Sequence, residues 1–106
     1  MVRVDSSLPK SYSCLLKRYP VFSKALASLG ETVRQQGPLD VTQAQLIQLT
    51  AAASIRSEGA VHSHTRRALE LGANGEEIRH TLILLTSTIG FPSVAAALTW
   101  VEDIFD

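Results

Sequence analysis

The chain has 106 residues and balances ten basic against ten acidic side chains, with 45% hydrophobic residues. That length suits one domain over 1–106 with a modest core. A neutral chain without a basic block is no phosphate-tracking nucleic-acid binder.

No apolar run is long enough to span a bilayer. The polar start "MVRVDSSLPKSYS" lacks the apolar segment of a signal peptide, so the expected location is the cytoplasm. Residues 1–11 read as irregular, within an N-terminal lead-in that extends to residue 19. A first helix begins near Tyr12 or, more clearly, after Tyr19, where Pro20 suits a first helical turn. Val21, Phe22, Ala25, Leu26, Leu29 and Val33 then recur at spacings of three and four and make one apolar face. "QGP" closes this helix, with Gly37 in a left-handed C-terminal conformation and Pro38 blocking continuation.

The second helix opens at "DVTQAQ", where Thr42 and Gln45 have the spacing of a capping box. Leu46, Leu49, Ala53 and Ile55 follow, and the helix stops near Arg56. A third helix is expected over Glu58–Leu71, with Ser57 as N-cap and Gly72 closing it. Asn74 and Glu77 then form another capping box for a fourth helix that runs to about Ile89. Its apolar stretch "TLILLTSTIG" predicts burial on most sides, and Gly90 ends it. A fifth helix starts near Pro92 and continues through Trp100 to about Ile104. No strand pattern or internal repeat competes. The expected fold class is all-α, a compact antiparallel array of about five helices with short connections.

Several residues invite a chemical reading. Cys14 is the only cysteine, so it forms no intramolecular disulfide. It is either a plain packed thiol or, through nearby Lys17 and Arg18, a reactive one. His64 shares a helical stripe with Ser57, Ala60, Ala68 and Leu71, which turns it toward the core or a pocket beside Gln45. His62, two residues away, diverges from His64 and shares an exposed polar stripe with Glu58 and Arg66. His80 lies on another helix. No histidine pair has the i,i+4 spacing of a metal chelate, so no metal is assigned, and no cofactor is expected. Ser57 lies seven residues from His64, about 10 Å along a helix, too far for a nucleophile–base pair. Trp100, Phe91, Phe105 and Phe22 read as core or interface anchors.

The segments "LDVTQAQLIQLTAAA" and "HTRRALELGANGEEIRHTLILLTSTIGFP" carry a further signal. Thr42, Leu46, His64, Ala68, Leu69, Gly72, Ala73, Glu76, Glu77, Ile78, Gly90 and Pro92 occur in an order and spacing that resembles the carboxymuconolactone decarboxylase family. That family includes the alkylhydroperoxidase D-like proteins, and the resemblance is strongest over residues 39–92. It implies an alkylhydroperoxidase D-like helical fold and a homo-oligomer, often a trimer or hexamer.

The resemblance also shows what is missing. The family's redox branch places a Cys-x-x-Cys at the start of the third helix, a histidine four residues on, and a glutamate in the preceding helix. Those positions hold Ser57, Ala60, His64 and Gln45 here, so only the histidine is kept. The lactone-decarboxylating branch keeps a glutamate at the position of Gln45 and another at that of Ala60. Glu58 is offset from the latter by two residues, about 200° around a helix.

Two readings follow. In one, His64 does acid–base chemistry on, or binds, a small carboxylate-bearing molecule, with Gln45 and Ser57 orienting that ligand. In the other, the chain is a non-catalytic homo-oligomeric binding or interaction module that keeps the family fold. A third, weaker reading places peroxide chemistry at Cys14, against the missing thiol pair.

Overall fold

Every regular element among the described residues, 10–105 of the computed structural model with side chains from residue 14 onward, is an α-helix. None is long and apolar enough to cross a membrane. Two compact units divide the chain, residues 1–39 and residues 40–106.

The first unit contains α1 (Lys10–Arg18) and α2 (Pro20–Arg34). Residues 1–9 of the expected irregular lead-in lie outside the described residues. Residues 10 and 11 correct that expectation, because the helix expected from near Tyr12 already begins at Lys10. The stretch "KSYSCLLKR" has no glycine or proline to break it, and Lys17 and Arg18 in its last turn face the negative end of the helix dipole. Pro20 sets the boundary, since it pushes the residue before it out of helical geometry: Tyr19 has φ −128° and ψ 69°. Ser23 is buried at this corner and donates its hydroxyl to the Tyr19 carbonyl at 2.9 Å. α2 carries the expected apolar residues, yet Val21, Phe22, Leu26, Leu29 and Val33 are all exposed. The glycine expected to end α2 does not take a left-handed conformation. α2 has already stopped at Arg34, where the Gln35 N–H bonds the Thr32 carbonyl, and positive φ among glycines is found at Gly72 and Gly90.

The second unit holds α3 (Val41–Ser54), α4 (Glu58–Glu70), α5 (Gly75–Ile83), the single turn α6 (Thr86–Ile89) and α7 (Phe91–Glu102). α3 has a capping box, but it is Asp40/Gln43 rather than Thr42/Gln45. The Asp40 carboxylate accepts from the Gln43 N–H at 2.8 Å, and the Gln43 amide oxygen accepts from the Asp40 N–H at 3.2 Å. Asp and Thr both cap helices well, so the box sits at whichever register the chain enters, and here it enters one half-turn early. Thr42 instead donates to the Leu71 carbonyl at 3.5 Å, and Gln45 lies within the helix.

α3 and α4 end in the same way. Arg56 N–H bonds the Ala53 carbonyl and Ser57 N–H bonds the Ala52 carbonyl. Gly72 and Ala73 repeat the pattern on Leu69 and Ala68. Both are Schellman closures, which need a positive φ at the residue after the cap. Gly72 meets this with φ +106°, whereas at the first corner an arginine, Arg56, holds φ +55°.

The Asn74/Glu77 box forms as expected, with bonds of 2.8 and 2.9 Å. The long fourth helix does not. It breaks at Leu84–Leu85, where the Leu85 N–H reaches back three residues to Leu82, and the Thr86 hydroxyl takes the Ile83 carbonyl at 2.8 Å. A hydroxyl that competes for helix carbonyls loosens the next turn. Nor is this stretch buried on most sides: Leu82 is fully buried, while Ile83 and Leu84 are exposed.

The core of the unit is built from Leu49, Ala52 and Ala53 of α3, Val61 and Ala68 of α4, Ile78 and Leu82 of α5, and Ala97 and Val101 of α7. Alanines at four of these positions let the helix axes approach closely. Trp100 and Phe105 pack against this core, as anchors should, but Phe91 and Phe22 are more than half exposed and are not core residues. At the edge of α5 and α7, Arg79 makes a two-pronged bond to Glu102 (2.7 and 3.2 Å), bonds Glu76 at 2.8 Å and lies 4.7 Å from the Phe105 ring centre. The hydrogen bond from Arg79 holds the Glu102 carboxyl below the usual carboxylate range.

Candidate functional site

The tight corner between α3 and α4 decides which side chains meet. Three residues, Ile55–Ser57, reverse the chain, so the early turns of α3 lie beside the middle of α4. Gln45 sits one turn into α3 and His64 in the second turn of α4. The His64 Nδ1 is 2.7 Å from the Gln45 Oε1. Gln45 is almost completely buried, at 3% exposure, and His64 is half-buried. Neighbouring Thr65 is fully buried and turns its hydroxyl onto the Val61 carbonyl at 2.7 Å.

An amide oxygen only accepts hydrogen bonds, so the ring nitrogen facing it is the donor. The Gln45–His64 bond therefore places the proton of the neutral imidazole on Nδ1 and the lone pair on Nε2. The amide does not ionise, so it steers the ring in the same way whatever the charge on His64.

Ser57, the third expected site residue, is not brought into this pair. It occupies the N-cap position of α4 as expected, but its hydroxyl makes no capping bond. Its backbone does the structural work, donating to Ala52 and accepting from Val61. It lies seven residues before His64, about 10 Å down the helix. Ala60 is half-buried and packed against the core.

The other titratable groups are placed as follows. Cys14 is exposed on α1. His80 is exposed in the last turn of α5. His62 does lie on the Glu58 side of α4, but it is not simply solvated. Its Nε2 is 3.1 Å from a carboxylate oxygen of Asp103, and its side chain is only 16% exposed. Asp103 escaped the sequence reading altogether. It follows α7, 41 residues from His62, and no local pattern links the two.

Residues 20–103 match the sequence profile of the carboxymuconolactone decarboxylase family. The chain belongs to that family. An uncharacterized protein of Methanocaldococcus jannaschii is 28% identical over 88 residues, which cover 83% of this chain and 82% of that one. A carboxymuconolactone decarboxylase family protein from Legionella pneumophila, solved in its apo form, shares the fold with a TM-score of 0.73. It is 25% identical, over 91% of this chain and 88% of its own. Within the carboxymuconolactone decarboxylase family match, α4 opens after Ser57 and carries no cysteine.

Proposed function

We propose that this carboxymuconolactone decarboxylase family protein handles a small carboxylate-bearing molecule at His64, by binding it or by moving one proton on it. The Gln45–His64 hydrogen bond carries this reading. It orients the imidazole toward α3, and a ring in its protonated form attracts a carboxylate. Thiol-pair peroxide reduction is not part of the proposal, because the chain has one cysteine and neither motif position supplies another.

The test is a panel of small mono- and dicarboxylates, screened by ligand-observed NMR and for turnover against the wild-type chain and His64→Ala. The reading expects binding or turnover that His64→Ala abolishes while helical content is unchanged. Equal binding by both proteins would overturn it.

A second reading is favoured by a different observation. In residues 40–106, Leu84 and Phe91 are 62% and 63% exposed. Large apolar side chains in such positions fit burial against further copies of the chain. On this reading the chain is a homo-oligomer, a trimer or hexamer, that serves as a binding module without turnover. Sedimentation analysis showing a monomer at all concentrations would remove it.

A further inference from the structure

We propose that Glu58, His62 and Asp103 form a binding site for one divalent transition-metal ion, separate from the Gln45–His64 pair. The three side chains each offer a ligand atom, and these atoms all lie within 4.8 Å of one another. Glu58 and His62 stand one turn apart on α4, so they project from the same face of that helix. Asp103 comes from the residue that caps the C-terminus of α7. The site therefore joins the start of one helix to the end of another.

Two of these ligands are anchored beside the core. His62 follows Val61 and Asp103 comes two residues after Val101, and both valines are fully buried. The His62 Nε2 is already 3.1 Å from the Asp103 carboxylate. Two ligands bonded at about 2.0–2.1 Å to a tetrahedral ion stand roughly 3.4 Å apart, so this pair is near its bound spacing. Glu58 has the longest side chain of the three and is exposed. Its carboxylate already lies within 4.8 Å of the other two ligand atoms, so a side-chain rotation closes the remaining gap.

The donor set selects the class of ion. One imidazole and two carboxylates suit zinc and its first-row neighbours, whereas calcium and magnesium prefer oxygen throughout. Three protein ligands leave positions for water or a fourth donor, as in open rather than closed sites. Glu58 brings a second carboxylate to the His62–Asp103 pair. Two like charges so close repel one another, and a shared cation removes that repulsion. His62 and His64 are two residues apart and point in different directions from α4, so the two sites do not compete for one imidazole.

The experiment uses the full, untagged, metal-stripped chain and zinc chloride as the probe, followed by calorimetry. One zinc per chain is expected, with the His62→Ala and Asp103→Asn variants each weakening binding by about tenfold or more and Glu58→Gln weakening it less. Nitrogen-15 spectra of the imidazoles guard against a variant that misfolds: in the wild-type chain, zinc should move the His62 resonances and leave those of His80 in place. Zinc binding that survives both His62→Ala and Asp103→Asn undiminished would overturn the proposal. So would the absence of any zinc binding, or magnesium binding as tight as zinc.

Discussion

Gln45 and His64 lie 19 residues apart in sequence and 2.7 Å apart in space, joined across the α3–α4 corner. Gln45→Leu removes the acceptor for the Nδ1 proton and places an apolar side chain beside a half-buried ring. A loss of about 1 kcal/mol is expected in urea unfolding, the usual net worth of such a bond. The double variant Gln45→Leu with His64→Phe should recover part of that loss. Strict additivity of the two single variants would mean that the bond contributes nothing to the fold.

The start of α3 can be tested one residue at a time. Asp40→Ala removes the side chain that caps the helix and should cost about 1 kcal/mol. Thr42→Ala removes only a long bond to Leu71 and should cost less. If the two costs came out reversed in thermal or urea unfolding, the capping box would belong to Thr42 after all.

Two backbone positions make opposite predictions. Gly90 joins α6 to α7 with φ 88° and ψ 155°, a region essentially reserved for glycine. Gly90→Ala should therefore destabilise the chain by about 1–3 kcal/mol. Arg56 closes α3 with φ +55°, where a side chain is a burden. Its guanidinium reaches the Ser93 hydroxyl at 3.0 Å, an exposed contact of small value. Arg56→Gly should therefore stabilise the chain by up to about 1 kcal/mol, in line with the ordinary gain from relieving a left-handed residue. A drop in melting temperature for Arg56→Gly would show that the Ser93 contact outweighs the strain.

Adjacent leucines separate packing from assembly. Leu82 is fully buried, so Leu82→Ala leaves a cavity and should cost about 2–5 kcal/mol. Leu84 is 62% exposed, so Leu84→Ser should leave the fold of residues 40–106 nearly unchanged. On the homo-oligomer reading the same substitution shifts the sedimentation profile toward smaller species. An oligomer indifferent to Leu84→Ser would place the subunit contact elsewhere.

Much of the candidate site was legible because it depends on short-range order. The stripe Ser57, Ala60, His64, Ala68 follows from 3.6 residues per turn, and the motif order pointed to Gln45 as the neighbour of His64. The corrections share one cause: competition among locally equivalent options. Asp40 and Thr42 are both good caps, and the hydrophobic pattern cannot say which is used. "TLILLTSTIG" reads as one buried helix because its apolar residues are continuous, but only packing decides that Leu82 points inward while Ile83 and Leu84 do not. Arg56 in a left-handed conformation had no sequence signal, since that role normally falls to glycine. The His62–Asp103 contact had none either, because its two halves lie on helices brought together by Val61, Ala97 and Val101 rather than by proximity along the chain.

The amino-acid order alone determined that this protein is helical, where most of its helices begin and end, that it carries the ordered motif of its family, and that Cys14 is its one cysteine. Those properties follow from backbone preference and from spacing within a few turns. Tertiary structure decided which polar groups meet: Gln45 with His64, and Glu58 and His62 with Asp103. Such pairings depend on how buried apolar faces set the approach of whole helices, and that choice is made by the packed core acting together.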